Sequence, residues 1–407
     1  MNHRVVFVNR YFRPDLSATS QMLTDLAEGL AARGVDVHVV CSCQLYDDAQ
    51  ARLPEEEALS AVRVHRVATT RFGRGRLIGR AMDYASFYVL CALKLLRLLR
   101  RGDVLVAKTD PPLLSIVAAP VAKAKGARLI NWHQDVFPEV ASLLDASPLP
   151  PVLDGVLKRL RDASLRAAAM NVVIGAQMRD YLAGRGIPES KLCVIENWAD
   201  GAAIRPKPRT ASRLRESLAV GDRFIVCYSG NLGRAHEFNT VLGAAVALAA
   251  RASSLMFLFI GSGAKMNALK QAVAGHALDN FRFLPYQPRA ALEDSLAAAD
   301  VHLVSLLPTL EGLIVPSKLY GILAAGRAVV FVGDAGGEIA RVIQRADCGR
   351  VIPVGDSACL ADALMQMSAD LEGCAAMGVR AHRIFGEEFS LERAIERWTA
   401  LIERCAS

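Results

Sequence analysis

At 407 residues, 52% of them hydrophobic and 6% aromatic, the chain is too aliphatic to be disordered or fibrous and too long for a single core, so two α/β-sized domains are expected. The formal net charge of +7 favours anionic partners without choosing among nucleotide, nucleic acid and lipid surface.

The opening MNHRVVFVNRYF enters a strand at once, without the basic leader and apolar stretch of a signal peptide. Export is therefore not expected, and a cytoplasmic location is. Residues 4–9 (RVVFVN) read as a buried strand running into a polar loop at 10–20 (RYFRPDLSATS). Met22, Leu23, Leu26, Leu30 and Ala31 then recur at helical spacing, Gly34 stops the helix, and residues 35–41 form the next strand. The alternation returns at strands 104–108, 128–132 and 171–174, which makes the first half a parallel α/β sheet. Residues 200–221 hold Pro206, Pro208, several basic residues and few large apolar ones, the composition of a linker. A second series follows, with strands at 224–228, 255–260, 281–284, 301–304, 328–332 and 349–352. The chain closes on an amphipathic helix at 390–405, with Leu391, Ile395, Trp398 and Ile402 on one side. The nine cysteines are scattered and odd in number, which speaks for reduced thiols. Cys41 and Cys43, the closest pair, lack the second Cys/His pair a zinc site needs.

Residues 311–331 (EGLIVPSKLYGILAAGRAVVF) join polar groups, a turn, a helix and a buried strand without a gap. Pro316 fixes an extended entry, Ser317 can cap a helix over 318–325, and Gly326 ends it. Such a helix start attracts anions, so a phosphorylated ligand is expected before Ser317 and Lys318. Residues 230–233 (GNLG) and 261–263 (GSG) also follow strands, but neither makes the dinucleotide pattern G-x-G-x-x-G. Two tandem α/β units place the ligand at the carboxyl ends of their strands, in a cleft between them.

Taken together, residues 11–21, 131–139 (NWHQDVFPE), 228–237 (YSGNLGRAHE), 259–263 (FIGSG), 299–301 and 316–326 (PSKLYGILAAG) resemble a GT-B glycosyltransferase of the retaining family 4 type. The likeness is to the bacterial exopolysaccharide, O-antigen and colanic-acid branch, and it covers nearly the whole chain. It implies two Rossmann-like domains, 1–205 for the acceptor and 206–385 for the nucleotide-sugar donor, with the C-terminal helix 386–407 crossing back to the N-terminal domain. It also implies transfer of a sugar from a nucleoside diphosphate sugar to a glycan precursor, lipid-linked in this branch.

Breaking the bond to a diphosphate calls for positive charge at the leaving group. Arg234, beside Gly230, Asn231 and Gly233, and Lys318 are the candidates; each is otherwise an exposed loop or first-turn cation. The family's pair of loop glutamates is altered here. Gly321 stands where the ribose-binding glutamate belongs, and Glu311 lies two residues out of register with the other, so Glu311, Gly312, Pro316 and Ser317 carry more of the donor recognition. Gly261, Gly263 and Tyr286 resemble base-binding loops. On the acceptor side, Asp15, Ser17, Thr19 and Ser20 either face the donor phosphates or cap the following helix. His133, Asp135 and Glu139 follow a strand end, where one of them can orient the acceptor hydroxyl. The resemblance leaves the acceptor proton to the departing phosphate, so no nucleophile is assigned. No cofactor is expected, and no metal, since no paired carboxylates follow a strand.

Residues 71–101 carry Arg71, Arg74, Arg76, Arg80, Lys94, Arg97, Arg100 and Arg101 against one acid, Asp83. Lys94 and Arg97 interrupt the apolar run before it can span a bilayer. The segment is read either as an ordinary domain helix or as one that lies on the anionic inner face of the bacterial inner membrane, inserting Phe87, Leu90, Leu93 or Leu96. Two other readings share the architecture, a nucleotide-sugar 2-epimerase and a non-catalytic sugar-nucleotide-binding protein. Nucleic acid is not an expected partner, because no basic and aromatic constellation lies on one element.

Overall fold

The computed structural model describes residues 3–73, 77–144, 150–249, 251 and 254–406. The chain divides into two compact units, one of Met1–Glu196 with Ala394–Ser407 and one of Asn197–Arg393.

In chain order the first unit contains β1 (Arg4–Val8), α1 (Ala18–Ala32), β2 (Asp36–Ser42), β3 (Glu56–Leu59), β4 (Val62–Val67), α2 (Leu77–Leu98), β5 (Val104–Lys108), α3 (Leu114–Lys125), β6 (Arg128–Trp132), α4 (Glu139–Leu143), α5 (Pro151–Ala167), β7 (Met170–Val173), α6 (Ala176–Gly184) and β8 (Leu192–Val194). The second contains α7 (Arg213–Ser217), β9 (Phe224–Ser229), α8 (Asn239–Ala249), β10 (Leu255–Ile260), α9 (Met266–Gly275), β11 (Phe281–Leu284), α10 (Leu292–Ala297), β12 (Val301–Ser305), α11 (Lys318–Ala324), β13 (Ala328–Val332), α12 (Glu338–Ala346), β14 (Gly349–Ile352), α13 (Ser357–Ala369) and α14 (Leu371–Ile384). The last helix, α15 (Leu391–Ala406), belongs to the first unit from Ala394 onward.

The first sheet runs β3-β4-β2-β1-β5-β6-β7-β8. It is parallel except for β3, which pairs antiparallel with β4 at the edge. From β1 the chain steps outward to β2 and β4, then crosses back to β5. The order thus reverses between β1 and β5, the place where the loops of an open α/β sheet part to leave a crevice. On one face, Phe87, Cys91, Leu95 and Leu99 of α2 and Ala118 and Val121 of α3 pack over Val6, Val8 and Leu105. α5 continues that layer, with Ser115 and Ser164 hydroxyls 2.8 Å apart across α3 and α5. α15 lies against α1, where a Cβ on Gly29 would fall 2.2 Å from Ile395 Cδ1. Its Trp398 meets Trp132 edge-on, with centroids 4.9 Å apart.

The second sheet is parallel throughout, in the order β11-β10-β9-β12-β13-β14. Its switch point lies between β9 and β12. Runs such as LMFLFI and AVVFV are buried at every position, as strands covered by helices on both faces require.

Residues 200–221 are not a free linker. Asp294 accepts the backbone N–H groups of Arg213 (3.0 Å) and Leu214 (2.8 Å) and the Lys207 ammonium (2.8 Å). Asp300 accepts Arg209 (2.7 Å), Arg215 (3.2 Å) and the Ile225 N–H (2.7 Å). The basic residues that looked like linker solvation are thus counterions to two acids of the second unit. The division also falls at Glu196 and Asn197 rather than at the expected 205 and 206, because Ala199 bonds to the backbone of Phe389 and Leu391.

Candidate active site

At the second unit's switch point the loop after β9 is fastened to the end of β12. His236 Nδ1 lies 2.6 Å from the Ser305 carbonyl, and Leu307 N–H donates to Ala235 O at 2.9 Å. On its other side the same loop is laid backbone to backbone on residues 261–263. Gly230 N–H reaches Ile260 O at 2.9 Å, and Leu232 N–H reaches Ser262 O at 2.7 Å. Glycine is required where the loops touch. Gly261 has φ 127° and a Cβ there would sit 2.3 Å from Gly230 O; Gly263 has φ 141° and its Cβ would meet the Leu232 carbonyl at 2.5 Å. The N–H groups of Gly230 and Leu232 are therefore spent inside the protein. Those of Asn231 and Gly233 have no backbone partner among the described residues, which leaves them to face a ligand. Arg234 follows, exposed.

Lys318, the first residue of α11, is not an exposed first-turn lysine. Its Nζ is buried without a hydrogen-bond partner and lies 3.5 Å from the centroid of the Tyr228 ring. A Cβ on Gly230 would lie 3.6 Å from that Nζ. Burial holds its pKa well below the ordinary lysine value. His236 meets the same Tyr228 ring edge-on, and burial, then Lys318, push its pKa down to about 3. Among the described residues the tyrosine face is the support given to the ammonium. An incoming anion would supply the missing counter-charge, and a buried unpaired cation in a ligand crevice is the signature of a binding group. Ser317 is exposed and makes no capping bond, so the expected serine cap is absent.

Glu311 reaches the start of α12. Its Oε2 lies 3.4 Å from the Glu338 N–H and its Oε1 has no partner. A Cβ on Gly337 would fall 2.3 Å from Oε1, so that glycine makes room for the carboxyl. Burial raises the pKa of Glu311 to about 7. Gly312, with φ 74°, turns the chain out of this corner toward the buried Pro316. Across the sheet, Tyr286 is 54% exposed beside Gly261. It flanks a pocket of about 430 Å³ lined by Gly261, Ser262, Gly263, Lys270, Phe283 and Pro285.

In the first unit's crevice, Arg10 N–H donates to Asp110 O at 2.6 Å and Thr19 Oγ1 to Asp110 Oδ2 at 3.1 Å. Thr19 thus stands at the switch point. Asp15 does not face it freely: one oxygen takes the Ser17 N–H (2.8 Å) and hydroxyl, the other the Tyr46 N–H (2.5 Å). Asp15 braces the loop, and Ser17 is held by it without capping α1. Glu139 is likewise committed. Its two oxygens take both Arg161 Nη groups at 2.9 Å, and Tyr181 adds a third bond at 2.9 Å. Both oxygens of Glu139 are thus already bonded inside the first unit, and its carboxylate is not free for the acceptor role expected of it. His133 is buried and kept neutral, its pKa near 3, by burial and the Arg161 charge. Asp135 keeps Oδ1 without a partner, and burial together with the Asp110 charge raises it to about 6. Beside them, Lys108 Nζ is buried 3.6 Å from the Trp132 ring centroid, again without a hydrogen bond. Lys108, His133, Asp135 and Arg161 bound a cavity of about 20 Å³, room for about one water.

Two family profiles match the chain, a glycosyl transferase 4-like domain over residues 17–198 and glycosyl transferases group 1 over residues 223–370. The chain belongs to the GT-B glycosyltransferases. It is 28% identical over 334 residues, 82% of each chain, to the probable glycosyltransferase WbjE of Pseudomonas aeruginosa. It is 26% identical to the putative colanic acid biosynthesis glycosyl transferase WcaI of Escherichia coli K12, covering 82% of this chain and 84% of that one. Its fold matches that of Anabaena HepE in complex with UDP-glucose, with a TM-score of 0.72 and 15% identity over 98% of this chain and 99% of the other.

In this glycosyltransferase the expected donor residues Gly230, Asn231, Gly233, Gly261, Gly263 and Lys318 gather at one switch point, while Glu311 reaches a neighbouring helix instead. Gly321 is open: a Cβ there would meet Leu296 and Ile204 at 3.8 and 3.9 Å, ordinary contacts. Sequence reasoning missed Tyr228, Gly337 and Lys108, whose roles come from long-range contacts. Of the basic stretch, Arg74 and Arg76 lie outside the described residues. Phe87 is fully buried in the core and cannot insert in a bilayer. Lys94 pairs with Glu56 at 2.7 Å, and Arg97 is exposed while Arg80 is half-buried. No helix among the described residues is long and apolar enough to cross a membrane.

Proposed function

We propose that the chain moves a sugar from a nucleoside diphosphate sugar to a lipid-linked glycan precursor in bacterial cell-surface polysaccharide synthesis, with retention at the anomeric carbon. The observation that carries the reading is Lys318, a buried ammonium with no counterion beside the glycine loop of a donor-type switch point. The diphosphate lies against the N–H groups of Asn231 and Gly233, with Lys318 and Arg234 taking the charge that grows as the bond to the sugar breaks. The base rests by Tyr286 and the 261–263 loop. HepE with UDP-glucose supports a donor of this class, and WcaI supports a polysaccharide setting.

The C1–O bond to the diphosphate breaks, C1–O to the acceptor forms on the same face, and the acceptor proton passes to a leaving-phosphate oxygen. Asp135 and His133 orient the acceptor hydroxyl from the first unit, near Thr19 and Asp110. The reaction proceeds without a metal, so chelator leaves turnover unchanged. The enzyme works on the cytoplasmic side, peripheral to the inner membrane. A thermal-shift screen of UDP, GDP, ADP and dTDP sugars tests the donor assignment: one class raises the midpoint, and no response to any of them contradicts it.

A further inference from the structure

The loop after β9, residues 230–237, has a one-sided backbone. The carbonyl oxygens of Asn231, Leu232, Gly233, Ala235 and His236 are all held by donors within the second unit. Tyr228 Oη donates to Asn231 O at 2.9 Å, and the Lys265 N–H to Leu232 O at 3.1 Å. The His236 N–H donates to Gly233 O at 3.2 Å, the Leu307 N–H to Ala235 O at 2.9 Å, and the Lys265 ammonium to His236 O at 2.6 Å. The N–H groups of Asn231 and Gly233, by contrast, have no backbone partner among the described residues. An anion site built from backbone needs this asymmetry. A carbonyl oxygen carries partial negative charge, and one turned outward repels the ligand that the neighbouring N–H groups attract.

Lys265 supplies two of these donors, and local preference does not explain its place in the chain. It stands as the N-cap of α9, where a short polar side chain ordinarily accepts a helix N–H, and its own side chain makes no capping bond. A lysine there also sets a cation at the positive end of the helix dipole. The residue is half-buried; burial lowers the pKa of its ammonium, and the nearby Glu237 charge opposes that shift. A residue that goes against local preference points to a compensating contact elsewhere. Here the contact is the His236 carbonyl. Glu237, next in the chain, caps α8 by accepting the N–H groups of Asn239 (2.6 Å) and Thr240 (3.2 Å).

His236 is the far anchor of the same loop. Its ring is bonded to the Ser305 carbonyl and its own carbonyl to Lys265, so the end of β12 and the start of α9 grip the loop from two sides. Without the ammonium the His236 carbonyl loses its donor, and nothing then keeps it turned from the ligand side.

We infer that Lys265 is a positioning residue of the transfer site: it keeps the carbonyl side of the loop after β9 turned inward, so that a donor diphosphate meets N–H groups and no oxygen. The inference rests on the donor reading for the identity of the anion. Lys265 differs from Lys318, whose ammonium has no hydrogen-bond partner in the protein, because its own is already bonded to the loop.

Lys265→Met and Lys265→Arg are compared with wild type in two measurements. Hydrogen exchange without ligand follows the bonded amides of Gly230, Leu232 and His236. Lys265→Met is expected to speed their exchange about tenfold or more while β10 and β12 keep the wild-type rate, and Lys265→Arg, which retains donors for the carbonyl, to restore most of the protection. Titration calorimetry uses the diphosphate that wild type prefers among UDP, GDP, ADP and dTDP, and the corresponding nucleoside. Lys265→Met is expected to bind the diphosphate about tenfold more weakly and the nucleoside as wild type does, with arginine recovering the diphosphate affinity. Unchanged exchange in Lys265→Met overturns the inference, even beside weaker diphosphate binding, which would make the lysine a direct ligand. So does faster exchange with unchanged diphosphate affinity, or an equal loss of diphosphate and nucleoside affinity, the mark of a general distortion. A wild type that binds none of the four diphosphates contradicts the donor reading instead, and the exchange measurement, which needs no ligand, still decides whether Lys265 holds the loop.

Discussion

Lys318 Nζ stands 3.5 Å over the Tyr228 ring with no hydrogen-bond partner. This enclosed cation disfavours protonation in the folded state. The penalty is present below its folded pKa and fades as pH rises to the ordinary lysine value. Lys318→Met is therefore expected to be as stable as wild type or more stable at neutral pH, while losing turnover by about a hundredfold or more. Denaturant melts and initial rates measured on the same preparations check both halves.

Gly261→Ala is expected to lower stability by about 2–4 kcal/mol and to lose the donor response, since it combines a strained φ with a clash against Gly230 O. Gly155→Ala is the control. Nothing lies within 4 Å of a Cβ at Gly155 on α5, so it is expected to be neutral or to add a few tenths of a kcal/mol.

Glu311 has its folded pKa raised from an ordinary 4.5 to about 7 by burial. For a carboxyl shifted upward the cost of ionisation is absent below about 4.5, accumulates with rising pH, and is complete above about 7. Glu311→Gln is thus expected to match wild type in melting temperature at pH 4.5 and to exceed it by a few degrees at pH 8. Equal melting at both pH values contradicts the assignment.

Glu139→Ala is expected to cost about 1–3 kcal/mol, because it removes two charge-assisted bonds from Arg161, which then keeps only Asp162 at 2.8 Å and the Phe137 carbonyl at 3.0 Å. At a temperature where the variant remains folded, its KM for acceptor is expected to stay near that of wild type. A raised acceptor KM with unchanged stability would restore Glu139 to the acceptor site.

The strands of the second unit were legible because four of them, β9, β10, β12 and β13, are short β-branched or aromatic runs buried at nearly every position, with β11 and β14 shorter and partly exposed at the sheet edges. The β3–β4 hairpin was not, since Glu56, Glu57, Arg63 and Arg66 give it the charges of an exposed edge rather than the pattern of a core strand. Glycine loops announced the donor site by their composition and by their place after strands. Which groups point into it did not follow from the sequence. Glu311 and Lys318 are seven residues apart on one loop and helix, yet one caps α12 and the other lies on Tyr228, and strand order decides that. The bonds that hold Asp15 and Glu139 were hidden for the same reason, since a carboxylate near a strand end carries no sign in the sequence of being fully bonded.

The most direct test of the donor site is calorimetric titration of the nucleoside diphosphate selected by the thermal-shift screen into wild type and Lys318→Met. Wild type is expected to bind it, and Lys318→Met to bind about tenfold to a hundredfold more weakly, since methionine cannot take the phosphate charge. Equal affinity in the two proteins would contradict the placement of the diphosphate at Lys318.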